Sequence, residues 1–507
     1  MGIDMKTAVI KLAALIAAAA LTLAYTSCAD TSVKIEDNIK SAESSQAETL
    51  SQEAGSARTA LKDSLPGDLN FNGRTIRILA RSGDRDTSLE FLAAEESGDI
   101  VEDAVYRRNL SICERLNVSL EIIEINEERH SGAAANSALS AAVLSGSDDY
   151  DLAANHMAQL SPLILQGMFQ NMYDLDYIDW DMPWWNASYN DAVTFDNKRY
   201  ACAGELALTM ISGIYATYFN KTLWDENFSG DLYAIVEDGE WTLDKMNEYV
   251  SGMYRDINGD QTADAGDIYG TSYILGGIQA DALAAGSDIA FTSFDGDRYT
   301  WSLENERTAD FLSKLEGLLF YGNCAFLHSD VNDFQQIVLE KMRNNTSLFI
   351  IHMLSGTEQL RDMSGDYGII PIPKFNEAQQ EYKTTVHNGF SVFAIPATTQ
   401  SPNEIAAFLE AMCAESYHSV TPSYFEVALK VKYARDEAAA RMLDICSEGI
   451  SFDFAYLYNS AIGSNAAIFR NILKPNEIGR GMSTIASKKN EVDTKLDEIL
   501  ETYRKLT

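Results

Sequence analysis

An α/β fold is what this sequence predicts, on three observations. Strand-like and helical segments alternate from residue 69 onward, turn signals separate them, and 46% of the 507 residues are hydrophobic, enough to bury sizeable cores. The order strand, helix, strand, helix, strand argues a parallel sheet with right-handed crossovers. At about 150 residues per domain, the length indicates more than one domain.

Each element has its own signal. Asn72-Gly73 marks a turn, and Thr75-Ile76-Arg77-Ile78-Leu79-Ala80 reads as the first strand. Val101, Val105, Ile112 and Leu116 share one helical face, which predicts an amphipathic helix of about four turns. Residues 119–125 read as the next strand, 133–144 as a helix ending at Gly146, and 150–154 as a third strand. In open sheets of this type ligands bind beyond the carboxyl ends of the strands. Arg81-Ser82-Gly83-Asp84 and Asn155-His156-Met157 sit at two such ends, which makes them candidate site segments.

The amino-terminal segment reads as a targeting signal. Lys6 and Lys11 precede an uncharged, Ala/Leu-rich run over 12–29, a basic region followed by an apolar one of signal-peptide length. A membrane anchor would need about 20 strongly apolar residues, and alanine is only weakly apolar. Tyr25-Thr26-Ser27-Cys28 resembles a bacterial lipobox, so 1–27 is expected to be a signal peptide and Cys28 the lipid-bearing terminus. Residues 29–68 hold no aromatic side chain and are rich in Ser, Ala and Glu; 28–68 is therefore expected to be a disordered tether. The expected location is extracytoplasmic, lipid-anchored to the outer face of the cytoplasmic membrane.

Charge excludes several partners. Lys and Arg number 39 against 75 Asp and Glu, a formal net charge of −36. Such a surface repels nucleic-acid phosphates and anionic lipid head groups, and it favours a neutral or cationic ligand. Cys113, Cys202, Cys324, Cys413 and Cys446 are scattered without a CxxC pair and read as buried small hydrophobes. The nucleophile-elbow, zincin, dinucleotide and P-loop motifs are all absent, so no catalytic cofactor is expected.

Two segments carry chemistry of their own. Eight aromatics fall within 173–200, among them Trp180, Trp184 and Trp185, interleaved with Asp176, Asp179, Asp181, Asn186 and Asn190. Flat apolar faces beside carboxylates and amides suit a sugar, with its CH faces and hydroxyl rim; core packing is the alternative. In 256–267, oxygen side chains of Asp256, Asn258, Asp260, Asp264 and Asp267 stand at calcium-loop spacing, with the Thr262 carbonyl between them. Gln261 replaces the glycine of the sharp turn. A structural calcium ion is the expectation here, and a solvated acidic turn the alternative.

Four motifs then carry a resemblance. Tyr215-Ala216-Thr217-Tyr218-Phe219-Asn220-Lys221-Thr222-Leu223 resembles the strand-to-helix turn of extracellular solute-binding proteins of family 1, the maltose-binding-like components of ABC importers. Gly239-Glu240-Trp241-Thr242 is similar to the start of that family's next helix. Asp366-Tyr367-Gly368-Ile369-Ile370-Pro371-Ile372-Pro373-Lys374 is similar to the strand re-entering its first lobe. Asn388-Gly389-Phe390 through Ile395-Pro396, with Ser401-Pro402-Asn403-Glu404 after it, is similar to the return strand and following helix.

The resemblance implies a two-lobed, periplasmic-binding-protein-like fold of type II, its lobes joined by a hinge with the ligand cleft between them. Lobe 1 would comprise 69–203 and 371–396, and lobe 2 would comprise 204–370 and 397–507. It implies a substrate-binding lipoprotein that closes on a sugar or oligosaccharide and delivers it to ABC permease subunits; a monomer is the expectation, because a hinge must be free to close. Carried over by position, ligand contacts fall on Ser82, Asp84, Asn155, His156, Glu205 and His352, beside the three tryptophans. The alternatives are an exported carbohydrate-active enzyme with a glycosidase-type carboxylate pair and a cell-surface carbohydrate adhesin or sensor.

Overall fold

In chain order the strands are β1 (Arg74–Arg81), β2 (Val118–Ile125), β3 (Leu152–Asn155), β4 (Tyr215–Asn220), β5 (Tyr269–Ile274), β6 (Thr292–Phe294), β7 (Tyr299–Trp301), β8 (Ala325–His328), β9 (Ser347–Met353), β10 (Tyr367–Ile370) and β11 (Val392–Ala394). The computed structural model describes residues 58, 60–81, 90–125, 132–329, 334–424 and 437–506. Cys28, the expected signal segment, most of the expected tether, Ser82 and Asp84 lie outside the described residues.

The first sheet has the order β11-β3-β1-β2. β1 runs parallel to both neighbours, with Ile78 opposite Ile122 on one side and Leu152 on the other. The helices between them follow the expected signals. Asp99 Oδ1 accepts from Val101 N at 2.9 Å and caps the helix Ile100–Leu116, which buries Val101, Val105, Ile112 and Leu116. Asn117, at φ 51°, ends it in the left-handed conformation. The helix Ala133–Ser145 ends at Gly146, as the sequence indicates.

The second sheet has the order β10-β4-β9-β5-β8 and mixes directions. β4 is antiparallel to β9 and β10, whereas β5 is parallel to β8 and β9. Every residue of β4, β5 and β9 is buried, because these inner strands are covered on both faces. Asn220 then turns strand into helix: its Oδ1 accepts Leu223 N at 2.9 Å at the start of Lys221–Asn227. β6 and β7 form a separate hairpin.

Two lobe boundaries differ from expectation. The strand Tyr367–Ile370 pairs with β4 in the second sheet rather than re-entering the first lobe. The chain stays there beyond 371, since buried Trp241 donates to Pro371 O at 2.9 Å and Leu243 N to Lys374 O at 2.8 Å. It crosses only after Val386, which bridges to Ile214, and reaches the first sheet at β11. After 396 the chain remains with the first sheet, where the helix Pro402–Glu415 packs against Ile100–Leu116. Arg74 on β1 pairs with its Glu404 at 2.6 Å. The helix Glu437–Glu448 then packs beside β10. The burial of Trp241 and of the apolar face of Pro402–Glu415 decides both boundaries.

Cys202, Cys324, Cys413 and Cys446 are buried free thiols and Cys113 is half-buried, as small core side chains would be. Among the described residues no helix is long and apolar enough to cross a membrane.

Candidate functional site

The carboxyl ends of β1 and β3 point toward the segments that link the sheets, and their polar side chains hold structure. Asn155 donates from Nδ2 to Gly132 O at 3.0 Å and accepts His156 N on Oδ1 at 2.8 Å. A Cβ at Gly132, which lies at φ 61°, would strike this amide, so the position favours glycine. Asn155 and His156 are both buried, His156 heading the helix Met157–Ile164. They close a strand-to-helix turn.

Arg81, at the end of β1, is buried and donates to Gly389 O on the returning segment. Glu90, also buried, accepts Thr209 N at 3.0 Å and Thr209 Oγ1 at 2.5 Å, while Thr209 Oγ1 accepts Ser391 N at 2.8 Å. This chain of bonds ties both crossing segments, 203–214 and 386–391, to the first half. Burial pushes the Glu90 carboxyl up to about 7 against the opposing hydrogen bonds of Ser391 and Thr209. Nothing in the local sequence marked Glu90; it is one acid among 75 Asp and Glu.

The other expected contacts are likewise engaged. Glu205 accepts the Thr421 hydroxyl. His352 is buried on β9, its Nδ1 lies 3.1 Å from Met353 O, and burial lowers its pKa to about 4. It is a neutral core histidine.

The tryptophans belong to the core. Trp184 and Trp185 are 0% and 4% exposed, and their indole nitrogens donate to the two carboxylate oxygens of Glu410 at 3.1 and 2.8 Å. A ring with both faces covered cannot stack on a sugar. Trp180 is half-buried, with its ring centroid 4.8 Å from that of Trp185 and 4.1 Å from the Arg199 guanidinium. Burial raises the Glu410 carboxyl to about 7 although two indoles and Asp179 N favour its charge.

The acidic loop 256–267 closes on itself. Asp256 accepts Gly259 N and Gln261 N at 2.6 and 2.8 Å, and Asp260 accepts Thr262 N at 2.7 Å. Asn258 donates to Asp260 at 2.9 Å, and buried Asp267 accepts Tyr254 OH at 3.0 Å and Asp264 N at 3.2 Å. Gln261 does make the sharp turn, at φ 62°. Among the described residues, however, no three His, Cys, Asp or Glu side chains converge as a metal cage. The side chains of Asp256, Asp260, Asp264 and Asp267 accept the loop's own backbone amides, Asn258 donates to Asp260, and Thr262 supplies one of those amides. Their oxygens face the loop's own donors.

A cavity of about 140 Å³ lies beside the crossing segment at Lys383 and Thr385. One wall comes from the helix Gln279–Gly286 and the residues after it, with Asp281, Asp288 and Phe291. A second is the crossing segment, with Lys383 and Thr385, and a third is Ser451, Phe452, Asp453 and Tyr456. These walls are pinned to each other: Ser451 N donates to Thr384 O at 3.0 Å, and Thr384 Oγ1 donates to Tyr215 O at 2.6 Å. They are also pinned to the first half, since Phe452 N donates to Ser188 Oγ at 3.1 Å and its ring packs edge-on to Tyr189 at 5.5 Å.

The charges around the cavity are unevenly matched. Lys383 pairs with Asp288 at 2.8 Å at the rim, both side chains partly exposed. Deeper in, buried Asp281 is held by Arg470. Asp453 accepts only neutral donors: Thr292 N at 3.0 Å, Thr292 Oγ1 at 3.2 Å and Ala455 N at 2.8 Å. Burial raises the pKa of Asp281 and Asp453 alike. Aromatic surface, carboxylates and hydroxyls are thus gathered in one hollow, the combination expected around Trp180 but built elsewhere. Phe452-Asp453-Phe454-Ala455-Tyr456-Leu457-Tyr458 was the sequence signal for it, an aromatic run around a single acid.

No protein-family model matches the chain, and no curated protein sequence does. Its fold is similar to solved structures. The galacto-N-biose/lacto-N-biose I-binding protein of the ABC transporter from Bifidobacterium longum, in complex with lacto-N-biose, is 15% identical, with a TM-score of 0.55 over 84% of this chain and 98% of that one. A cyclo/maltodextrin-binding protein complexed with maltotetraose is 11% identical, with a TM-score of 0.53 over 85% of this chain and 97% of that one. UspC of M. tuberculosis is 13% identical, with a TM-score of 0.52 over 83% and 100%. The chain has the two-lobed, periplasmic-binding-protein-like α/β fold that the sequence motifs implied.

Proposed function

We propose that this chain is the substrate-binding component of an ABC importer, which captures a sugar or oligosaccharide between two lobes and delivers it to a membrane permease. The observation that carries this reading is the pair of sheets joined by crossing segments, with an aromatic, hydroxyl- and carboxylate-lined cavity at the crossing. A ligand held there touches the stretch after the helix Gln279–Gly286, the crossing segment and residues 451–456, so binding favours the arrangement that brings these together. The likeness in fold to carbohydrate-binding proteins supports it, and so does the acidic composition, which disfavours polyanions. A lipid on Cys28 would hold the protein at the outer face of the membrane, next to its permease.

Calorimetry against a panel of neutral oligosaccharides, joined to small-angle scattering at saturation, tests the reading. The expected result is binding without turnover and a smaller radius of gyration in the complex. Product formation, or an unchanged radius with ligand bound, would overturn it.

A further inference from the structure

Resting on the hinge of that reading, we propose that Glu90 is a proton-controlled latch on the two crossing segments. With its carboxyl protonated it holds them against the first half; ionised, it releases them and ligand capture weakens. Glu90 is buried in the first half, ahead of the helix Ile100–Leu116. Thr209, which it grips, sits on the short helix Leu208–Ser212 of one crossing segment, and Ser391 closes the other. One carboxyl thus reaches both connections between the sheets. The second of those segments also carries Lys383 and Thr385 into the cavity wall, so its release is felt by a ligand there.

The geometry favours the neutral acid. Both Thr209 donors fall on Oε1, at 3.0 and 2.5 Å, so the other oxygen can carry a proton without breaking either bond. The Ser391 hydroxyl, also bonded to the carboxyl, accepts that proton as readily as it donates to the charged form. Ionisation leaves a buried charge whose cationic neighbours are aimed elsewhere. Arg81 of β1 donates to Gly389 O, and Arg108 of the helix Ile100–Leu116 donates to the Glu90 carbonyl, to Ser416 Oγ and to Asn109 Oδ1. His387, on the second crossing segment, accepts Gly389 N on Nδ1 at 3.1 Å. The two guanidiniums favour the charged form from a distance, yet burial outweighs them and pushes the carboxyl up to about 7. Where the segments part and water reaches Glu90, its pKa returns to the ordinary 4.5. The latch is therefore complete below 4.5. It weakens by up to about tenfold per pH unit, the limit for one proton, until pH 7.

Small-angle scattering of the unliganded protein at pH 5.5 and 8, with calorimetric titration of maltotetraose and lacto-N-biose at both, tests the latch. The radius of gyration should grow at pH 8, and affinity should fall by about tenfold. Glu90→Gln keeps an acceptor for Thr209 but cannot ionise; it should stay compact and bind equally well at both pH values. Glu410→Gln and His387→Gln remove other groups that titrate in this range and should keep the parent's dependence. Should Glu90→Gln fail to fold, Thr209→Val strips the hydroxyl from both partners and should enlarge the radius already at pH 5.5. A parent protein with the same radius and affinity at both pH values, a dependence that survives in Glu90→Gln, or a Thr209→Val variant with the parent's radius overturns the latch while sugar capture stands. Failure of both saccharides and of the wider panel to bind overturns the capture reading instead, and the unliganded radius alone then decides the latch.

Discussion

Glu410 is the most informative side chain to remove. Its two oxygens accept the indole N–H groups of Trp184 and Trp185, at 3.1 and 2.8 Å, in a region closed to solvent. Glu410→Ala deprives both indoles of an acceptor without admitting water, and each stranded donor costs about 1–3 kcal/mol. Relief of the buried carboxylate offsets part of this, so the expected loss is on the order of 3 kcal/mol. Glu410→Gln keeps one carbonyl acceptor and should lose roughly half as much. Chemical unfolding followed by tryptophan emission reads both quantities, since these two residues report directly on their own pocket. An alanine variant within about 1 kcal/mol of the parent would refute the reasoning, because the indoles would then have found other partners.

Further expectations concern pH, calcium and the amino terminus. Glu90 and Glu410 titrate near 7 when folded rather than 4.5, so folding favours their protonated forms; the stability they contribute is complete below about 4.5 and is lost as pH rises through 7. For Glu90 the loss is on the order of 3 kcal/mol, and thermal melts across that range should flatten in Glu90→Gln; a profile identical to the parent's would contradict this. Calcium is expected to raise the melting temperature only at millimolar concentration, because Gln261 rather than glycine makes the sharp turn of the loop, at φ 62°. A shift at micromolar calcium would refute that, and no shift at any concentration would leave a solvated turn. Cys28→Ala should move the protein from the membrane to the soluble fraction of its host; unchanged fractionation would remove the lipid anchor.

The sequence by itself determined the local pieces, since their causes are contiguous. Four apolar residues at helical spacing placed the helix Ile100–Leu116, and Asn220 between an apolar run and Lys221 placed a strand-to-helix turn. Four ordered motifs sufficed for the two-lobed fold. What stayed hidden depends on which distant segments meet. Trp184 and Trp185 offer the same side chains whether they face a sugar or a core, and only Glu410, more than 220 residues away, settles which. The carboxylates of 256–267 have calcium spacing along the chain, and only the fold shows which backbone amides their oxygens accept. The cavity draws on residues from 281 to 456, and the pairing of Lys383 with Asp288 and of Arg470 with Asp281 joins segments far apart in the chain. Charge compensation and burial are properties of the packed molecule, so tertiary structure alone could assign them.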